Sequence, residues 1–295
     1  MLIKKEIFES IIAGAASSLI TIGFQIFGPI IFLLSYFTPL PFFFISLKYK
    51  FSNLIISILT SIIILILFSS VLASVMFLIM NIIPAVLLTT EIKKRKNFFY
   101  GDIITKITLL NSFIYIFIMF LYSESLSNFS IEFNTQIQSL VKSNIYIEQN
   151  IINLIPSLII ASWTIILILN LIIAKNIFLK FTSKNVYKDK IININIPKWL
   201  SILFLSCLIP SIILDNKITQ ILNSLIIIYS VPITLQGFVS VNKIIQNFEI
   251  KTFILYSFYA IIFIFPIGIA LVTALGVLDT FYNFKNLNLN KKNLE

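Results

Sequence analysis

AKNIFLKFTSKNVYKDKIININIPK, running from Ala174 to Lys198, holds six lysines (175, 180, 184, 188, 190 and 198) against one acid, Asp189. Long apolar runs lie on both sides of it. A strongly basic loop between apolar segments stays on the cytoplasmic face of a membrane. With 175–198 fixed there as a cytoplasmic loop, the direction of most other segments follows.

The bulk composition agrees. Of 295 residues 58% are apolar and 12% charged, whereas a soluble domain carries roughly 25% charged residues. Apolar runs long enough to cross a bilayer recur from end to end. They do not alternate every second residue, which excludes a transmembrane β-barrel. The predicted fold is therefore all-α, a polytopic bundle of about eight to ten hydrophobic segments. Residues 1–284 form one integral membrane domain and 285–295 a short polar tail. The expected setting is a cell membrane, crossed several times.

The net charge of +10 collects in the short segments between spans. The positive-inside rule accounts for that pattern with the lipid bilayer as partner and no nucleic acid. Hydrophobic segments are expected at 7–27, 29–47, 52–69, 71–90, 103–122, 151–174, 199–214, 218–239 and 252–284. The last is a problem of length. At 1.5 Å per residue it would extend roughly 50 Å, against about 30 Å of hydrocarbon. Either it crosses once, or it breaks at Phe265-Pro266 into two short helices and returns. One polar segment, 123–150, is not basic. Phe133, Ile137, Leu140, Val141 and Ile145 fall on one stripe of it, which predicts an external amphipathic helix.

Absences narrow the chemistry. Histidine is missing and there is one cysteine, Cys207. Neither a metal cluster nor a Ser or Cys nucleophile with its histidine base can be assembled. No G-x-x-x-x-G-K-[ST] or G-x-G-x-x-G loop occurs, so the chain is not expected to hydrolyse nucleotide. No cofactor or metal site is predicted, and the chain is not expected to be an enzyme.

Four residues are singled out. Asp102 and Lys106 are four apart at the start of a span and can pair at headgroup level. Asp279 is the one acid whose depth depends on how 252–284 is threaded. It is either an interfacial carboxylate paired with Lys285 or a headgroup, or part of a buried site. Gly14 and Ser18, with Ala13 and Ser17, give the first span a small-residue face. That face serves packing within the chain, or docking of a second membrane subunit. The amides Gln25, Asn81, Asn111, Asn170, Asn223 and Gln236 inside apolar runs bond to neighbouring helices or ligate a neutral solute. Pro39, Pro41, Pro84, Pro156, Pro210, Pro232 and Pro266 each break a helix locally. In transporters such breaks line substrate sites.

Two stretches carry a family resemblance. They are Gly28-Pro29-Ile-Ile-Phe-Leu-Leu-Ser-Tyr-Phe-Thr-Pro39-Leu-Pro41, and Phe265-Pro266 through Ala274-Leu-Gly276-Val-Leu-Asp279-Thr-Phe-Tyr-Asn-Phe-Lys285. On these, and on the order of hydrophobic and basic segments, the chain resembles the YybS-like family of predicted bacterial membrane proteins. That family is similar in turn to the membrane-embedded S components of energy-coupling-factor transporters, which typically have six spans. The resemblance implies solute binding or uptake, with ATP hydrolysis supplied by a separate partner subunit. The alternative is a non-transporting membrane scaffold or assembly factor, whose basic loops contact anionic lipid or a cytoplasmic partner.

Overall fold

A computed structural model of the chain describes residues 2–95, 100–121, 132, 135, 152–181, 194–214, 217–246, 250–265 and 267–283. Among them every regular element is helical. The helices are α1 (Leu2–Phe27), α2 (Phe32–Ser35), α3 (Leu40–Lys48), α4 (Phe51–Phe68), α5 (Val71–Phe77), α6 (Ile83–Arg95), α7 (Tyr100–Leu121), α8 (Ile155–Phe181), α9 (Lys198–Ile213), α10 (Lys217–Ile245), α11 (Lys251–Ile264) and α12 (Ile267–Tyr282). The external segment 123–150 lies outside the described residues except for Glu132 and Thr135, and so does the tail 285–295.

Among the described residues six stretches are long and apolar enough to cross a membrane: Lys4–Phe27, Phe51–Phe68, Val71–Lys93, Tyr100–Leu121, Ile155–Phe181 and Ile218–Ile245. Two shorter apolar helical stretches, Leu33–Lys48 and Lys198–Ile213, accompany them. The long apolar run 252–284 does not cross as one rod. It is split into α11 and α12, which meet at a bend of 120°. At 1.5 Å per residue each arm is about 20–25 Å long, short of the hydrocarbon thickness. The break falls at Phe265-Pro266, where the missing N–H of a proline stops a helix from continuing. Every apolar run of the sequence thus has its helix, and the all-α membrane bundle stands. Its outer surface is that of a protein solvated by lipid: Phe120 is 84% exposed and Phe263 91%.

Prolines and small polar residues set the joints. Pro39 occupies the N-cap of α3 and Pro41 its first turn, where the absent donor costs nothing. Pro156 starts α8 in the same way. Ser70 caps α5 by accepting a hydrogen bond from the Ala73 amide at 3.1 Å, as N-cap serines do. A π turn at Leu78–Ile82 precedes Pro84, whose ring and missing N–H interrupt the regular ladder there. Pro210 and Pro232 sit in the interior of regular α-helices.

The chain divides into two compact units, Met1–Phe98 with Ile165–Asp189, and Phe99–Thr164 with Lys190–Glu295. In the first, α1 packs along α4, and α3 packs against α1, α4 and α6. Phe42, Phe43, Leu54, Leu65 and Leu88 are its fully buried centre, and Phe42 meets Phe77 edge to face at 5.9 Å. A polar clamp lies at one end. Glu9 accepts hydrogen bonds from Lys48 and, at 2.7 Å, from the Tyr49 hydroxyl, and Lys93 donates to the Tyr49 carbonyl. Burial and the Glu9 carboxylate raise the pKa of the Tyr49 phenol. Helix α8 runs on to Phe181, so Lys175 and Lys180 of the basic loop are helical, Lys175 buried; residues 182–193 of that loop lie outside the described residues.

In the second unit, α10 is the central helix, packed against α7, α9, α11 and α12. Its closest partner is α12, and glycine permits the closeness. A Cβ on Gly237 would sit 2.1 Å from the Val272 carbonyl oxygen, and one on Gly276 2.0 Å from that of Ile233. The two glycines are reciprocal: each helix presses its backbone into the gap the other leaves.

Candidate functional site

The α10–α12 seam is where the second unit buries its polar groups. Thr234 on α10 and Thr273 on α12 share a hydrogen bond of 2.6 Å. Two residues on along α10, Gln236 Nε2 donates to Asp279 Oδ2 of α12 at 2.8 Å. The other end of that amide, Gln236 Oε1, accepts from the backbone N–H of Ile196 at 2.8 Å. Thr280 then receives a hydrogen bond from Ser201 of α9 at 3.1 Å. Gln236 is 2% exposed and Asp279 1%.

This geometry follows from local structure. Residues 194–197 form no regular element, and Ile194 and Ile196 are buried on either side of exposed Asn195. A buried segment outside the helices has backbone donors to satisfy, and Gln236 takes one of them. Gly101, on the first turn of α7, has no side chain because the Asn195 carbonyl lies where a Cβ would be, at 1.8 Å. Segment 194–197 is therefore wedged between α7 and α10. Helix α12 ends at Tyr282, three residues after Asp279, and Asn283 follows with a left-handed φ of 52°; asparagine tolerates that conformation better than most residues. Asp279 thus sits near a helix C-terminus, where the helix dipole opposes a negative charge. The donors around it have to compensate.

Asp279 is therefore enclosed by protein; Lys285, its suggested partner, lies outside the described residues. Among the described residues it is the one fully buried acid. Asp102 is half-buried in the first turn of α7, where the dipole favours it. Lys106, one turn on, is exposed.

Gly14 and Ser18 belong to the first unit and take no part in this seam. A Cβ on Gly14 would lie 2.2 Å from the Ser57 carbonyl oxygen of α4. Ser18 is fully buried and its hydroxyl donates to the Gly14 and Ala15 carbonyls. Ser17 reaches the Thr38 carbonyl at 2.9 Å. The small-residue face is occupied by α4 of the same chain, so packing within the chain accounts for it.

The intramembrane amides mostly tie helices together. Asn111 donates to Thr164 at 2.7 Å, Asn170 to the Tyr36 carbonyl at 2.7 Å, and Gln25 accepts from Ser69 at 2.7 Å. Gln236 differs because its partner is a carboxylate. The sequence marks Gln236 as one polar residue among several. Nothing in the local sequence pairs it with Asp279, 43 positions away. The close backbone approach at Gly101, Gly237 and Gly276 is not read from the sequence, although with only seven glycines in the chain a glycine inside an apolar run is a signal of it.

No curated protein and no solved structure matches the chain. A family described as predicted membrane protein (DUF2232) matches residues 133–280, which contain α8 to α11 and α12 as far as Thr280, with the whole Gln236–Asp279 pair. Half of the chain being so matched, it belongs to this family of predicted membrane proteins.

Proposed function

We propose that this multi-pass membrane protein binds a small solute and that recognition turns on Asp279. The observation that carries the reading is the carboxylate itself, 1% exposed among apolar helices and hydrogen-bonded across the seam to the Gln236 amide. A charged group is costly inside a membrane domain, and the ones that persist mark solute or ion pathways. The helix dipole makes this position more costly still, so a purely structural role would be served better by a neutral residue. On this reading the chain is not an enzyme. It is similar in role to the S components of energy-coupling-factor transporters, as the YybS-like resemblance suggests, with a separate partner supplying ATP hydrolysis.

The test uses the purified full-length protein in detergent, a panel of metabolites and vitamins, and thermal unfolding as readout. A solute that raises the Tm of the wild type and has no effect on Asp279→Asn supports the reading. A panel without any stabilising solute, together with unchanged uptake in a deletion strain, sinks it.

A further inference from the structure

A second feature of the same unit lies where α10 ends and α11 begins, the corner that the charge rule assigns to the cytoplasmic face. The last two turns of α10 and the first turns of α11 enclose a cleft of about 650 Å³. Its polar lining comes from Asn242, Lys243 and Gln246 of the first helix and Lys251, Tyr256 and Tyr259 of the second. Two ammonium groups and two amides share the cleft, and among the described lining residues none is acidic.

One wall is rigid. Tyr259 stacks on Phe238 with ring centres 6.0 Å apart and 27° between planes, and meets Phe258 edge-on at 5.5 Å. Its hydroxyl accepts a hydrogen bond from Asn242 at 2.9 Å. The wall therefore exists before anything binds, which lowers the cost of ordering a site. The opposite rim is Tyr256, 70% exposed. Beside it Ile250 and Phe253 are 65% and 71% exposed, apolar surface of the kind that acyl chains cover.

We propose that this cleft holds the phosphate headgroup of an anionic lipid. Lys243 and Lys251 supply the charge, and the amides of Asn242 and Gln246 supply hydrogen bonds to the phosphate or its glycerol. Tyr256 and Tyr259 line the headgroup as interfacial tyrosines do. Basic pockets between membrane helices on the cytoplasmic side are the general form of such sites. The chemistry that matters is a phosphate ester; the exposed apolar rim selects one that carries acyl chains.

The test again uses the full chain in neutral detergent. Short-chain phosphatidylglycerol is compared with phosphatidylcholine of the same chain length and with glycerol 1-phosphate. At about a hundredfold excess over its dissociation constant the anionic lipid should raise Tm by on the order of 5 °C, with phosphatidylcholine inert. Lys243→Gln/Lys251→Gln should abolish the shift, and Lys184→Gln/Lys188→Gln, which removes the same charge from the basic loop, should retain it. Should the first double variant fail to fold, Tyr256→Glu places a negative charge at an exposed rim position and should abolish the shift alone. Equal stabilisation by phosphatidylcholine overturns the proposal, and so does an equal loss in the loop variant, which would mean unspecific attraction. An equal shift with glycerol 1-phosphate overturns the lipid assignment in favour of a soluble phosphate ester. Asp279→Asn should leave the lipid response intact, so this site and the solute reading stand or fall separately.

Discussion

Gln236 Nε2 and Asp279 Oδ2 lie 2.8 Å apart on neighbouring helices, and the same glutamine holds the Ile196 amide through its oxygen. One side chain thus joins α10, α12 and the segment 194–197. Replacing it with leucine keeps the volume but removes a donor from a buried carboxylate and an acceptor from a buried amide. Leaving a buried charged group short of a hydrogen bond costs roughly 2–3 kcal/mol. Gln236→Leu should therefore unfold at a clearly lower temperature than Asp279→Asn, in which the amide pair can re-form. Equal melting temperatures for the two variants would show that the pair is not coupled; a double-mutant cycle with Asp279→Leu measures the coupling directly.

The reciprocal glycines give a second outcome. At Gly276 and Gly237 a methyl group would meet backbone oxygen, at 2.0 and 2.1 Å, and neither oxygen can move without its helix. Alanine at either position must push α10 and α12 apart, an overpacking cost of at least about 1–3 kcal/mol. Gly23 is the control, since its added Cβ would meet only the flexible end of Ile31 at 3.3 Å. Gly23→Ala should melt within a degree or two of wild type, whereas Gly276→Ala should fall well below it. Similar melting of both would mean that the seam is looser than its distances imply.

Much of this architecture is legible in the sequence, because a bilayer imposes a simple length and polarity requirement on each helix. The joints at Pro39, Pro84 and Pro266 are legible too, since proline acts locally. What the sequence does not reveal is pairing. Gln236 and Asp279 are both visible as polar residues in apolar runs, yet hydropathy carries no information on which helix faces which. The depth of Asp279 was open for the same reason: it depends on the bend between α11 and α12 and on the neighbours that bend supplies. Lys175 shows the opposite limit, a lysine read as loop that continues the helix to Phe181.

Gly14 separates two uses of one face. Its would-be Cβ lies 2.2 Å from Ser57 oxygen and 3.0 Å from Thr60 Cβ, so α1 and α4 of the isolated chain already need the glycine. Gly14→Leu should destabilise the purified single chain by about 2 kcal/mol or more through forced separation of the helices. A face reserved for a second subunit would instead leave the melting of the isolated chain unchanged and weaken only co-purification.

Tyr49 makes the last prediction one of pH. Its phenol donates to Glu9 at 2.7 Å, and burial together with that carboxylate raises its pKa above the usual 10.0. A raised acid pKa means that the folded state keeps its proton longer than the unfolded state. Between the unfolded and folded values the unfolded chain binds fewer protons, so stability falls as pH rises. The stabilisation is fully present below about pH 10 and is lost as pH climbs through the raised value. Tyr49→Phe removes the hydrogen bond and the titration together. At pH 8 the variant should melt lower than wild type, by the worth of one hydrogen bond to a charged group, about 1.5–3 kcal/mol before solvent screening reduces it. As the pH rises above 10 the difference should narrow, because only the wild type has this phenol to ionise. A difference that stays constant across the alkaline range would show that Tyr49 is not the group that loosens the clamp.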